Sequence, residues 1–287
     1  MEIFLKNFLI LLFVLLCFFF FYCYFIEPNF LVVKKQTITL TKKDLNLSTP
    51  IKIVHLSDFH CQKFGRREKS LIEKINTIKP DFIFITGDFL DDSSNIESCQ
   101  LFFRDLAKNQ LIYGVFGNWD HLIPQLPISI LKERLESDGI NILVNDAKDI
   151  NFNNFNFTVA GIDDPFLGFD DLKKTLQEVD PSRIVFLLSH SPDIVEYSED
   201  NINFLKEKGV DFIFTGHTHG GQVIFLRNFI LNLGGKKKYV SGLYNVEGVP
   251  LYVNQGIGTS IIPFRCGVFP EITVFEFKNK RIKKLLL

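Results

Sequence analysis

From Ile51 onward, short runs rich in Ile, Val and Phe alternate with patterned segments of helical length: "IKIVHLS" then "RREKSLIEKINTI", "DFIFITG" then "NIESCQLFFRDLAKN", "LIYGVFG" then "PISILKERLESDG". "NFTVAGI", "DDLKKTLQEV", "RIVFLLS", "DIVEYSEDNINFLKEK" and "VDFIFTG" continue the alternation. Short runs with little polar alternation read as strands buried on both faces, so the pattern predicts an α/β domain around a largely buried sheet. The last third holds "GQVIFL", "VPLYVNQG" and "EITVFEF" with few helical segments between them. There the sheet is expected to gain mixed or antiparallel partners.

Five of these runs end in residues able to bind a metal: Asp58 and His60 in "LSDFH", Asp88 in "TGD", Asn118 in "FGN", His190 in "LSH", and His217 and His219 in "TGHTH". Sites in α/β sheets form at the carboxyl ends of strands. Convergence of these loops would gather two carboxylates, one amide and four imidazoles, a mixed oxygen and nitrogen set too large for one ion. In "TGHTHGG", side chains at i and i+2 of an extended segment point the same way, so His217 and His219 can face neighbouring ions. Gly216, Gly220 and Gly221 permit the sharp turns this needs.

The front of the chain is of another kind. Phe8 to Ile26, "FLILLFVLLCFFFFYCYFI", contains no charged residue, and nineteen residues at about 1.5 Å each approach the hydrocarbon thickness of a bilayer. A cleaved signal peptide has a shorter apolar core and a small-residue cleavage site, whereas this run ends in "YCYFIEPNF". The organisation expected is an N-terminal tail and transmembrane helix over 1–26, a polar stalk over 27–50 and the α/β domain over 51–287. Lys34, Lys35, Lys42 and Lys43 outnumber the positive groups before the helix and favour a cytoplasmic domain. The cysteines outside the helix, Cys61, Cys99 and Cys266, are odd in number and lack zinc-like spacing, which fits a reducing compartment. The net charge is −1 with only small basic clusters, so no nucleic-acid partner is expected.

D-x-H, G-D, G-N, H and G-H-x-H, in this order over residues 58 to 219, resemble the calcineurin-like metallophosphoesterases. "GIDDPFLGFDDL" and "SGLYNVEGVPLYVNQGIGTSIIPFR" are similar to a membrane-anchored branch of that family that resembles the UDP-2,3-diacylglucosamine pyrophosphatases. The resemblance implies a two-sheet sandwich flanked by helices. It further implies two divalent ions, one held by Asp58, His60 and His219, the other by Asn118, His190 and His217, with Asp88 bridging. A shared carboxylate suits two mutually repelling dications, which would lower the pKa of a bound water and steady the transition-state charge. Mn²⁺ is the first choice, with Zn²⁺ or Fe as alternatives.

One position departs from the pattern. Most relatives have G-N-H-D or G-N-H-E, whereas this chain reads "GNWDH", with Trp119 in place of the histidine credited with protonating the leaving group. His121, two residues on, is a candidate for that acid and equally for a surface or supporting residue; Asp120 matches the family's acidic position without its usual histidine partner. An alkoxide leaving group needs a proton, while a phosphate with a second pKa of about 6 leaves with little help. Trp119 therefore favours a pyrophosphate, unless it is only a packed side chain. The functional expectation is a membrane-anchored phosphohydrolase acting on a phosphorylated or nucleotide-diphosphate lipid, UDP-2,3-diacylglucosamine specifically. The alternatives are a broad phosphodiesterase or phosphomonoesterase and an inactive membrane scaffold. His55 reads as structural or as support for a ligand; Asp163 and Asp164 either face the pocket or form a turn. "VIFLRNFILNLGGKKKY" reads as core strand or as a loop touching an anionic membrane.

Overall fold

A computed structural model describes residues 1–42, 49–153, 155–196, 198–225, 229–231 and 238–279. Its helices and strands run α1 (Glu2–Phe21), β1 (Val32–Leu40), β2 (Ile51–Leu56), α2 (Arg66–Ile78), β3 (Phe82–Thr86), α3 (Ile96–Ala107), β4 (Ile112–Val115), α4 (Asn118–Leu122), α5 (Ile128–Ser137) and β5 (Ile140–Ile142). They continue β6 (Asp146–Phe152), β7 (Phe155–Gly161), α6 (Leu172–Leu176), β8 (Ile184–Leu188), α7 (Asp193–Glu196), α8 (Glu199–Glu207), β9 (Val210–Thr215), β10 (Val223–Phe225), β11 (Phe229–Leu231), β12 (Gly242–Val246), β13 (Val249–Val253) and β14 (Glu271–Asn279).

Two six-stranded sheets, ordered β1-β14-β2-β3-β4-β5 and β12-β13-β9-β8-β7-β6, stack as a sandwich. Strand periodicity explains the stacking. In β3, Phe82 and Phe84 point between the sheets while Ile83 and Ile85 point to the outer helices; in β8, Phe186 and Leu188 point inward while Val185 and Leu187 point out. Both faces are buried, which is why these strands read as continuous apolar runs. The space between the sheets is filled largely by phenylalanine, packed edge to face in contacts such as Phe84–Phe214 at 5.2 Å and 82°. Helices α2, α3 and α5 cover one outer face, and α6, α7 and α8 the other.

The expected mixed partners occur at the sheet edges. β14 lies antiparallel to β2, β12 to β13 and β6 to β7, while β2 to β5 are mutually parallel. The stalk expectation is corrected at Val32–Leu40. These residues form β1, paired in parallel register with β14 from Val32↔Glu271 to Leu40↔Asn279. Their alternating sequence, "VVKKQTITL", reads as polar because an edge strand buries only one face. The run proposed to touch an anionic membrane lies partly outside the described residues, at 226–228 and 232–237.

The apolar helix continues past Phe21 through a π-turn, Tyr22–Ile26, and a 3₁₀ turn, Glu27–Asn29. Together Glu2–Asn29 span 28 residues with mean hydropathy 2.9 in their most apolar window, long and apolar enough to cross a membrane. Nearly all side chains up to Ile26 are exposed, Cys23 excepted.

Candidate metal centre

The loops after β2, β3 and β4 of one sheet and after β8 and β9 of the other meet at one end of the sandwich. His60 Nε2 stands 3.1 Å from His219 Nε2 and 3.3 Å from Asp88 Oδ2, and His219 Nε2 stands 3.5 Å from Asp58 Oδ1. One donor atom from each of Asp58, His60, Asp88 and His219 falls within 4.8 Å of the others. A second group adjoins it: His190 Nε2, His217 Nδ1 and Asn118 Oδ1 are mutually 3.0 to 3.1 Å apart. Asp88 touches both groups, its Oδ2 lying 3.3 Å from His60 Nε2 and 3.4 Å from His190 Nε2.

The backbone is bent to achieve this. Asp58, His60, Asp88, His217 and His219 all have positive φ, between 42° and 69°. For non-glycine residues that region costs on the order of 1–2 kcal/mol each, and such strain collects at functional sites. Hydrogen bonds between loops hold it: Asp58 N–H donates to Gly87 O, His60 N–H to Asp88 O and Gly216 N–H to His190 O, while His217 N–H donates to the Asp58 carboxylate at 3.0 Å. The last of these ties one sheet to the other. Gly216 is obligatory there because a Cβ would stand 1.8 Å from Ser57 Oγ and 2.4 Å from Asp58 Oδ2.

The extended "HTH" expected from sequence is corrected. His217 and His219 are left-handed around a right-handed Thr218 (φ −80°), and His219–Gly221 form a 3₁₀ turn. The turn sends the two imidazoles to different groups, His217 to Asn118 and His190, His219 to His60 and Asp58.

Supporting contacts set the tautomers. His190 Nδ1–H donates to Thr86 O at 2.7 Å, leaving Nε2 directed at the cluster. His60 Nδ1 faces Asp91 Oδ1 at 3.3 Å. Burial opposes charge on His60, but Asp88 and Asp91 outweigh it and raise its pKa to about 9. Burial likewise opposes charge on His190, yet Asp88 raises it well above the usual range; burial, His60 and Arg265 together hold His219 well below it.

The donor set fits divalent ions. Ligands about 2.1 Å from an ion stand about 3.0 Å apart at a right angle and about 3.4 Å at a tetrahedral angle. The His190–His217–Asn118 group has edges of 3.0–3.1 Å. In the other group the His60–His219, His60–Asp88 and His219–Asp58 pairs stand 3.1–3.5 Å apart, with all four donors within 4.8 Å of one another.

Asp120 and His121 each have defined partners beside the cluster. Asp120, fully buried, accepts from Gly117, Asp88 and Phe89 N–H at 2.8 to 2.9 Å, so it positions the Asp88 loop. His121 Nε2 pairs with Asp163 Oδ1 at 2.7 Å, its ring between Phe116 and Phe169. Trp119 sets its ring edgewise to His60 at 5.4 Å. Buried His55 bonds Thr86 Oγ1 at 2.9 Å and supports the end of β3. Sequence reading missed Asp91, three residues past Asp88, and Arg265, fully buried with Nη2 3.4 Å from His219 Nδ1. An acidic residue close behind a ligand was a usable signal for Asp91; nothing local marks Arg265, 46 residues from His219.

Residues 51–221 match the calcineurin-like phosphoesterase family. The chain is 29% identical over 251 residues to YkoQ of Bacillus subtilis, described as an uncharacterized metallophosphoesterase, covering 85% of this chain and 90% of that one. It is 28% identical over 262 residues to phosphodiesterase YaeI of Escherichia coli, covering 89% and 91%. A third relative, a Bos taurus transmembrane protein with a metallophosphoesterase domain, is 27% identical over 248 residues, covering 78% of this chain and 52% of that one. With the residue cluster these matches define a dinuclear divalent-metal site, and the chain belongs to the calcineurin-like phosphoesterase family of hydrolases.

Proposed function

We propose that the protein is a membrane-anchored phosphohydrolase that splits a pyrophosphate or phosphodiester bond in a lipid-linked substrate, with a nucleotide-diphosphate lipid such as UDP-2,3-diacylglucosamine as the specific case. The observation that carries this reading is the position of Asp88 Oδ2, 3.3 and 3.4 Å from imidazoles of the two ligand groups. On this reading Asp58, His60 and His219 would hold one ion, Asn118, His190 and His217 would hold the other, and Asp88 would serve both. Mn²⁺ is the first choice for an oxygen and imidazole set, with Zn²⁺ or Fe as alternatives. Divalent ions there lower the pKa of water and offset charge developing on phosphoryl oxygens.

The chain's own residues orient and select. Thr86 and Asp91 fix the imidazoles of His190 and His60, Asp120 holds the Asp88 loop, and Trp119 shields one side of His60. His121 is committed to Asp163, and the residue after Asn118 is an indole, which carries no transferable proton for a leaving group. That arrangement favours leaving groups that depart as stable anions, as a phosphate does. The relative described as a phosphodiesterase supports a second reading, a broader phosphodiesterase on the same site. The apolar helix and the transmembrane relative support the anchor, and Lys34, Lys35 and Lys42 after the helix support a cytoplasmic domain.

The test is hydrolysis by the full chain, with Mn²⁺ added, of nucleotide-diphosphate lipids, aryl diesters and alkyl diesters. Pyrophosphate and aryl substrates are expected to be cleaved much faster than alkyl ones, and Trp119→His should raise the alkyl rate selectively. Equal rates on all three classes, unmoved by the substitution, would remove the leaving-group argument for a pyrophosphate.

A further inference from the structure

The end of the apolar helix is built into the loop that borders the metal centre. Arg265 N–H donates to Cys23 O at 3.0 Å, and Val268 N–H donates to the buried Glu27 carboxylate at 2.7 Å. Cys23, Val223 and Cys266 form a small core against which Phe19, Ile262 and Phe264 pack, and Phe30 meets Phe269 at 5.5 Å. The same loop reaches the metal ligands. Cys266 N–H donates to Gln222 O, the Gln222 amide bonds Ser260 and Ile262 carbonyls, and Gly258 N–H donates to Asp58 O. Gln222 directly follows the His219–Gly221 turn.

These contacts set a depth. If Phe8–Ile26 fills the hydrocarbon layer, Cys23 lies about 5 Å and Phe19 about 10 Å inside its edge at 1.5 Å per residue. Ile262, Phe264 and Cys266, packed at that level, share the depth to which interfacial apolar side chains enter, about 5–10 Å. Ile261, at the loop tip, is 68% exposed and has φ 63°. A β-branched residue there is strained and gains little packing from the protein itself. Exposed Tyr22, Tyr24, Phe25 and Phe30 ring the same level with the aromatic side chains typical of a membrane–water boundary.

We propose that the Ser260–Cys266 loop seats Ile261, Ile262 and Phe264 in the interfacial layer of the bilayer that the apolar helix enters. This second attachment brings the metal centre to headgroup level, so the substrate class is a phosphorylated lipid headgroup taken from the bilayer. The inference rests on the anchored phosphohydrolase reading, and it is separable from it by experiment.

In the full chain carrying Cys17→Ala, Ile261→Cys is labelled with a polarity-sensitive fluorophore and reconstituted into phosphatidylethanolamine–phosphatidylglycerol vesicles; Leu101→Cys on α3 is the comparison. Spin-labelled lipid is expected to quench the label at 261 strongly and aqueous iodide weakly, with the reverse at 101. Iodide-dominated quenching at 261 would overturn the seating. Protection from both quenchers would mean that protein, such as a second copy of the chain, covers the loop, and would overturn it equally. In parallel, Ile261→Asp should slow hydrolysis of vesicle-borne UDP-2,3-diacylglucosamine at least tenfold while leaving soluble bis(p-nitrophenyl) phosphate within twofold. Equal loss on both substrates would assign the loop to folding instead. Absence of hydrolysis by the unmodified chain, with lipid quenching at 261 intact, would sink the phosphohydrolase reading and leave the membrane contact standing.

Discussion

Asp88 is the residue on which both ligand groups depend, and Asp91 stands behind only one of them. Asp91→Asn should weaken metal binding or activity by roughly 10–100-fold, the usual effect of losing an outer partner, while Asp88→Asn should exceed that range. Metal content and turnover of the folded variants check this; equal effects would place the two carboxylates in equivalent roles. The imidazoles add a pH dependence. In the metal-free protein His60 is held at about 9, so it carries a proton at neutral pH, whereas a ligand imidazole must be neutral. Metal uptake at pH 7.5 should therefore release protons, and apparent affinity should climb as pH rises toward 9. Calorimetry in buffers of different ionisation enthalpy reads the released protons directly. A buffer-independent heat would contradict the protonated state of His60.

At the scale of elements, β1 converts the segment after the helix from a tether into part of the sandwich. It pairs with β14 through nine registered positions, and Lys34 pairs with the buried Glu271 carboxylate at 2.6 Å. Glu271 N–H in turn donates to Gly256 O, in the loop packed against Asp58. Deleting residues 1–26 removes the exposed helix but leaves these contacts. Deleting residues 1–41 uncovers the apolar edge of β14 and should lower the urea midpoint far more, with loss of activity on soluble substrates. Equal midpoints for the two truncations would show that β1 adds nothing to the sheet.

For the whole molecule, ions held by the proposed ligands would clasp the two sheets together. Asp58, His60, Asp88 and Asn118 follow strands of one sheet, while His190, His217 and His219 follow strands of the other. Ligand linkage gives about 2.7 kcal/mol at a hundredfold excess over Kd. For a domain of this size that corresponds to a melting shift of very roughly 5–10 °C. Chelation should lower Tm by that order, and Mn²⁺ should restore it. An unchanged Tm with full metal loss would mean that the loops hold their geometry without ions.

The strands, the helices between them and the seven polar side chains that gather at one end of the sandwich were legible in the sequence because each depends on local periodicity or on a side chain's own chemistry. Burial of β3 and β8 on both faces leaves continuous apolar runs, and a ligand at a strand end carries its identity wherever the strand lies. The family likeness was legible for the same reason, since it resides in short motifs. What lay beyond was long-range. The partition of His217 and His219 between two groups follows from left-handed backbone held by contacts with Asp58 and Ser57. The place of β1 depends on β14, 239 residues away in the pair Val32↔Glu271. The commitment of His121 to Asp163 and the docking of Cys23 and Glu27 on the Arg265 loop join segments whose own sequences do not mark each other. Local propensity sets which elements form, but only tertiary packing decides which loop ends meet, because that choice is made by contacts far apart in the chain.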